Sequence, residues 1–467
     1  MSDHGVPGPA LQPAPRVGHG CRPGQGWALL AASLGFAVVQ LDVSVVNVAI
    51  KPIGTDLGGN VSGLQWVVSA YTVAFAALIL SAGALGDRIG AKRVFTAGFA
   101  LFTLASAGCG LAPTLGVLSA ARAVQGIGAA VLVSCSLTLL NHAYPGPKAR
   151  ARAVGLWAAG ASVALSAGPL IGGVLTSSLG WRSIFFINAP IGLLGIALTA
   201  RYAAETTRSR DRGIDLPGQT AAIVALVALA AAMVEGGQRG FTDAFVLGGF
   251  GLAVLALVVF VLVESRRAKP MLPLGLFRST TFSASSGMGL VVNIAFYGLI
   301  FVFSLYFQTT RHYSALTTGL AFAPTTAAVL VANLIAGRLT GALSTRWVIA
   351  GAALLMATSL GGLLVIGPAT SYPTIVVQLA AVGFGLGLIV PAMTAALLGS
   401  VEASRSGIAS GTLNTARQTG SVIGVTLFGS VAASSLVGGL RLGLVISIVL
   451  ALIAAALATS TGMKSSA

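Results

Sequence analysis

Long apolar runs separated by short polar breaks fill the chain from residue 27 onward. Each run has about 20 mostly apolar residues, enough to carry a helix across the hydrocarbon core of a bilayer. Fourteen such helices are predicted: 27–50, 62–85, 93–112, 114–141, 153–177, 184–204, 217–237, 244–264, 281–308, 315–337, 347–367, 373–398, 406–434 and 440–461. The longest break, ETTRSRDRGIDLPGQ (205–219), is too short for a soluble domain. Residues 1–26, rich in Pro and Gly, read as a disordered tail, and 462–467 form a second short tail. The apolar run after the first tail is too long for a signal-peptide core and lacks a small-residue cleavage site, so it reads as a span.

Composition agrees with this pattern. The chain is 55% hydrophobic and only 8% charged, against about 25% charged in soluble proteins. It cannot cover a water-facing surface, so its expected solvent is lipid. Its 61 glycines suit membrane helices, which tolerate glycine better than soluble ones. The net charge of +16 would suggest nucleic acid in a soluble protein. Here basic residues are first tested against topology, because they gather in cytoplasmic loops. With the N-terminus in the cytoplasm, 20 of the 27 Lys and Arg fall inside and five outside (Lys51, Arg182, Arg239, Arg311, Arg441), leaving Arg122 and Arg417 within spans. That bias supports an even number of helices with both termini cytoplasmic, and it removes nucleic acid as an expected partner. Cys21, Cys109 and Cys135 make no disulfide framework. No Ser/His/Asp set, P-loop or His/Cys cluster appears, so neither an enzyme nor a metal or cofactor site is expected.

A weak internal repeat organises the spans. GALGDRIGAKRVF (83–95) and GRLTGALSTRWVI (337–349) both have Leu two positions after the first Gly, then a polar turn with basic residues. This predicts an all-α membrane protein in a 6+2+6 arrangement. One six-helix bundle covers 27–204, a linker with two inserted helices covers 205–280, and a second bundle covers 281–461. Transporters built from such repeats place their substrate site at the repeat interface near the midplane.

Within the apolar stretch FAVVQLDVSVVNVAI (36–50) sits Asp42, the one deep carboxylate of the chain. A charge at the centre of a span costs about 2.5–3.5 kcal/mol on insertion scales, so it faces the bundle interior and is paired or titrates. Its same-face neighbours are apolar, which favours the neutral acid. A fixed ion pair that only orders the fold is the alternative. Arg122 is its natural partner: at ~1.5 Å per residue both lie ~12 Å from the outer ends of their helices. In GASVALSAGPLIGG (160–173), Gly160, Gly168 and Gly172 recur on one stripe suited to close helix contact, and Pro169 removes a backbone hydrogen bond and predicts a kink. In the loop after helix two, which opens at Gly83, Gly86 and Gly90 permit a tight turn, Arg88, Lys92 and Arg93 are cytoplasmic anchors, and Asp87 is an acid among bases. Such an acid can sit on a helix N-terminus and hold that side shut, or be a solvated loop charge. Asn47, Gln125, Asn293, Asn414 and Arg417 are candidates to line a substrate cavity.

Taken together these segments resemble the major facilitator superfamily, in its fourteen-helix drug:proton antiporter branch. LDVSVVNVAI resembles the helix-one signature, GALGDRIGAKR the loop signature, RAVQGIGAA the helix-four arginine motif and GASVALSAGPLIGG the helix-five antiporter motif. WRSIFFINAPIG (181–192) resembles the segment that follows. The resemblance implies proton-driven export of amphipathic compounds by alternating access. It also implies that Asp42 and Arg122 serve proton coupling and Asp87 gating, and that the expected partners are the bilayer, protons and a small-molecule substrate in a bacterial cell membrane. An importer on the same fold and a membrane receptor that transports nothing are the competing readings. The helix-five motif speaks against the first, and the costly buried Asp42, Arg122 and Arg417 against the second.

The expected topology is directly testable. Cysteines introduced at Ser209 and at Thr242 should label oppositely with an impermeant thiol reagent in intact cells. Labelling of Ser209 from outside would reverse the orientation.

Overall fold

The computed structural model describes residues 25–206, 215–267, 270–402 and 406–460. Ser209 and most of the central loop lie outside them. The first group of helices is α1 (Gln25–Leu57), α2 (Val61–Ile89), α3 (Ala91–Gly110), α4 (Leu115–Ala143) and α5 (Pro147–Leu179), then a short α6 (Ser183–Phe186) and α7 (Asn188–Tyr202). An inserted pair follows, α8 (Leu216–Arg239) and α9 (Ala244–Arg266). The last group is α10 (Thr280–Leu305), which runs into a π-helical turn, α11 (Ala315–Ala342), α12 (Thr345–Gly362), α13 (Tyr372–Gly399), α14 (Ser406–Ser434) and α15 (Leu436–Thr459). There is no strand among the described residues.

Thirteen spans among the described residues are long and apolar enough to cross a membrane, with α6 and α7 together making the sixth. The remaining expected span, the thirteenth in order, is present as α14, 29 residues long. It falls short on composition because Asn414, Arg417, Gln418 and several hydroxyl residues occupy it. It is shielded instead by packing against α2, α8, α10 and α15. Two further expectations shift in detail. The sixth span is broken at Ile187, and the eleventh ends in a 3₁₀ turn, Leu363–Val365.

The packing repeats along the chain. In the first group α1 packs on α5, α2 on α4, α3 on α4 and α3 on α7. In the last group α10 packs on α14, α11 on α13, α12 on α13 and α12 on α15, the same pattern in the same order. The two groups meet through α5 with α11 and α2 with α14, while α8 packs on α9, α14 and α2. The outer faces are apolar: on α9, Val254 and Leu255 are 62% and 61% exposed. Such a contiguous apolar surface belongs in lipid.

Small residues set the closest approaches. A Cβ on Gly168 would collide with the Ser44 side chain of α1, and one on Gly172 would lie 2.9 Å from the Val45 carbonyl. On the opposite side of α5, a Cβ on Gly173 would lie 2.8 Å from the Ala315 carbonyl, and Gly319 of α11 abuts the Pro169 carbonyl. Helix α5 is thus held between α1 and α11 by glycine contacts, as membrane helices without a hydrophobic drive to associate commonly are. Gly160, expected on the same stripe, touches nothing closer than Ser33 at 4.0 Å and does not take part.

Candidate functional site: a buried ion pair and a cavity at one end of the bundle

Asp42, midway along α1, and Arg122, in the second turn of α4, are both almost fully buried, and their side chains form an ion pair from Arg122 Nη1 to Asp42 Oδ2. Three further helices complete the site. Asp42 Oδ1 accepts from Gln125 Nε2 at 2.9 Å and from Asn188 Nδ2, at the start of α7, at 3.1 Å. Arg122 Nη1 also donates to Gln125 Oε1 at 2.8 Å, and its Nε to the Val67 carbonyl of α2 at 3.2 Å. The guanidinium carbon stands 4.1 Å over the Tyr71 ring, a cation–π contact that gains strength when desolvated. Asn188 in turn meets Ser106 Oγ of α3 at 3.0 Å, and Ser106 Oγ donates to the Phe185 carbonyl at 2.8 Å.

The geometry explains how a charge survives here. A buried ion pair holds only when hydrogen bonds satisfy the remaining lone pairs and protons, and removing one partner costs about 3–5 kcal/mol. Asp42 has donors on both oxygens, and Arg122 uses a carboxylate, an amide, a carbonyl and a ring. Two polar atoms beside the pair keep spare capacity: Tyr71 Oη and Asn188 Oδ1 are buried without a hydrogen-bond partner. Buried polar atoms are rarely left so. A carboxylate is held there by a guanidinium and neutral amides, with an unused hydroxyl and an unused amide oxygen alongside.

The other predicted residues fall in different places. Gly83 and Asp87 line a cavity of about 360 Å³ at the end of the bundle bearing the α2–α3 turn, with Ser81, Asn141, Asp215 and Asn414. At the opposite end the two groups of helices are joined. Lys51 Nζ donates to the Gln308 carbonyl, Ser304 Oγ to the Asn47 carbonyl, and the Leu316 amide to Ser177 Oγ at 3.2 Å. The bundle is therefore closed at one end and hollow at the other. Asn47 donates to the Val43 carbonyl at 2.9 Å and edges a small apolar gap with Ser44 and Tyr297. Gln125 is committed to the ion pair and does not line the cavity. Asn293 bonds the Gly289 carbonyl of its own helix at 2.7 Å. Arg417 Nε is buried with no hydrogen-bond partner, beside Gly289. Of the five cavity candidates, Asn414 alone reaches the larger cavity.

The α2–α3 turn is docked by a residue that sequence reasoning left as an ordinary loop acid. Gly90 adopts φ 112°, and a Cβ there would run into the Glu205 carboxylate. Arg93 Nε lies 3.4 Å from Glu205 Oε2, Lys92 Nζ donates to the Ala200 carbonyl at 2.8 Å, and the Ala91 amide donates to Thr206 Oγ1 at 2.9 Å. Arg88 is exposed. Lys92 and Arg93 thus tie the turn to the end of α7. Asn188, Ser106 and Tyr71 were also missed. Asn188 is a lone amide in an apolar run just before Pro190, and it lies at the start of α7 facing Asp42.

The chain matches the family model described as Major Facilitator Superfamily over residues 32–425 and again over 286–464. It is 38% identical over 410 residues to a methylenomycin A resistance protein of Streptomyces coelicolor, covering 88% of this chain and 86% of the relative. It is 38% identical over 409 residues to the multidrug resistance protein Stp of Mycobacterium tuberculosis, covering 87% and 76%. Among solved structures it is similar in fold to a bacterial homologue of the human lysosomal transporter Spinster, in an inward-facing and unoccupied conformation. That similarity has a TM-score of 0.68 and 18% identity, covering 94% of this chain and 97% of the other.

The network makes a stability prediction. Hydrogen bonds to charged groups contribute about 1.5–3 kcal/mol, so Asn188→Ala should lower the unfolding free energy by about that much and depress the melting temperature of the purified protein. Ser106→Ala, which leaves the Asn188–Asp42 bond in place, should have a smaller effect. Equal melting of Asn188→Ala and wild type would mean that Asn188 does not hold the pair.

Proposed function

Because the chain belongs to the major facilitator superfamily and its relatives are named for antibiotic and multidrug resistance, we propose that it is a drug exporter driven by protons: an antiporter for antibiotics or other amphipathic small molecules, working by alternating access. The observation that carries this reading is the Asp42–Arg122 pair. A structural protein or passive scaffold gains little from a buried ion pair spread over five helices, whereas a coupled transporter needs a group that takes and gives up a proton.

Arg122 and Asp42 hold each other in the observed pair. A motion that draws Arg122 away lets the proton load, and closure of the pair, or water reaching it, releases the proton. With both termini cytoplasmic, the hollow end faces the cytoplasm and the conformation is inward-facing. Substrate then enters past Asp87 and Asn414, and Arg417 and Asn47 meet it on the way out. In this scheme Asp87, on the docked α2–α3 turn, belongs to the cytoplasmic gate. Transport swings the closed contacts of Lys51, Ser304 and Ser177 open.

The test is a panel of toxic cations and antibiotics given to cells with and without the protein, with substrate accumulation followed before and after a proton uncoupler. Lower accumulation of at least one compound, abolished by the uncoupler, is expected. Accumulation lowered equally with and without the uncoupler would exclude proton-driven export, and raised accumulation would point to import.

A further inference from the structure

Arg417 is a cation in the interior of the last group of helices, and the protein supplies it with no anion. Its Nε is buried without a hydrogen-bond partner, and no ion pair reaches its guanidinium among the described residues. A buried charge left unpaired is costly, so intramembrane arginines are paired or face a water-filled path. The helices around Arg417 offer no partner. α14 packs on α2, α8, α10 and α15, and more lightly on α13. α10, α13 and α15 carry no acid. Glu235, the one acid of α8, is paired with Arg239. Asp42 is held by Arg122.

Asp87, the one acid of α2, is too far away. α2 and α14 run antiparallel: Gln65 Nε2 donates to the Thr426 carbonyl at 2.8 Å, and Leu80 fills the space beside Gly411. Asp87 is seven residues from Leu80 toward the hollow end, and Arg417 is six residues from Gly411 toward the closed end. At ~1.5 Å per residue, about 20 Å of helix separates them.

The position of Arg417 connects it to the cavity. Ile408, Ser410, Gly411 and Asn414 are the α14 residues that line the cavity, and Asn414 is the deepest of them. Arg417 is three residues further along, a neighbour of Asn414 on the helix surface. Its stem lies against α10, where Gly289 leaves room: a Cβ there would sit 3.3 Å from Arg417 Cγ. Helical side chains lean toward the helix N-terminus, which in α14 is the cavity end. The long side chain therefore reaches back over the turn that carries Asn414.

We propose that Arg417 is the counter-charge for an anionic group, a carboxylate first, on the molecule this protein carries. This rests on the reading of the chain as an exporter of amphipathic small molecules, and it names their charge. The apolar body of such an acid lies against Ile79, Leu80, Val133 and Leu137 of the cavity wall, and its carboxylate meets the guanidinium beyond Asn414. Two parallel N–H to oxygen bonds join a guanidinium and a carboxylate, a match that a neutral amide cannot make. The acids at the cavity do not oppose this. Asp215 is balanced by Arg267 at 3.3 Å, and Asp87 is further from Arg417 than the ~8 Å over which physiological salt screens exposed charges.

The probe is 2-naphthoate, compared with uncharged 2-naphthamide and with a naphthalene bearing a trimethylammonium group. Binding of each is measured by titration calorimetry on the purified full chain in nanodiscs of zwitterionic lipid at neutral pH, with empty nanodiscs subtracted and no proton gradient. The wild type should bind the naphthoate about tenfold or more tighter than the amide, and the cation no tighter than the amide. Arg417→Gln should bring the naphthoate down to the affinity of the amide and leave amide binding unchanged, which also shows that the cavity is intact. Arg417→Lys keeps the charge without the planar fork and should fall between the two. A wild type that binds the naphthoate no tighter than the amide, or binds neither, overturns the proposal. So does a preference for the naphthoate that persists in Arg417→Gln, or a variant that weakens all three probes equally, the mark of a structural role. With no proton gradient in the assay, such a failure leaves proton-driven export to be decided by the uncoupler, and absence of an uncoupler effect leaves the anion site standing.

Discussion

A carboxylate in the middle of a membrane helix constrains everything packed around it. Asp42 must be met by a cation and by donors for both oxygens, and it can reach them only if four other helices stop at the right depth. Arg122 and Gln125 come from α4, Asn188 from the start of α7, and the Tyr71 ring and Val67 carbonyl on the far side of the guanidinium from α2, with Ser106 of α3 steadying Asn188. The first group of helices is organised about this one ion pair. No comparable pair stands in the last group among the described residues, where Arg417 occupies an interior position without a carboxylate.

Around that fixed point the helices touch through small residues. Glycines of α5 let it lie directly against α1 on one side and α11 on the other. Backbone surfaces of this kind let the helices approach closely. Lys51, Ser304 and Ser177 join the groups near one end, Ser166 and Ser162 of α5 join Thr326 and Asn333 of α11 partway along, and the cavity sits at the other end. The molecule is closed at one end and hollow at the other, with the ion pair buried between.

Much of this was legible in the sequence because the bilayer simplifies the code. A single acid in an apolar run has few ways to be satisfied, so Asp42 stood out, and equal depth on antiparallel helices singled out Arg122. The spans read cleanly wherever apolar runs are unbroken. Reading failed where a residue's role depends on a partner distant in sequence. Asn188 serves the site because the start of α7 lies beside Asp42, and nothing in the period of the run marks a partner so distant in sequence. Glu205, an exposed acid at a span end, meets the α2–α3 turn, a contact distant in sequence. Gly160 sat on the right stripe but opposite empty space, since a stripe shows which residues share a face and not how far the neighbouring helix extends. Helix α14 is too polar to stand out by composition because its neighbours, not lipid, cover it.

The central claim is that Asp42 is the group through which proton movement drives transport. Asn keeps the shape and hydrogen-bonding capacity of Asp but cannot carry a proton on and off. Purified Asp42→Asn protein in liposomes, with an imposed proton gradient and a substrate found in the cell panel, should fail to accumulate that substrate against its gradient, while exchange of labelled for unlabelled substrate continues. Uphill accumulation by Asp42→Asn at the wild-type rate would contradict the account and leave the buried pair a structural element.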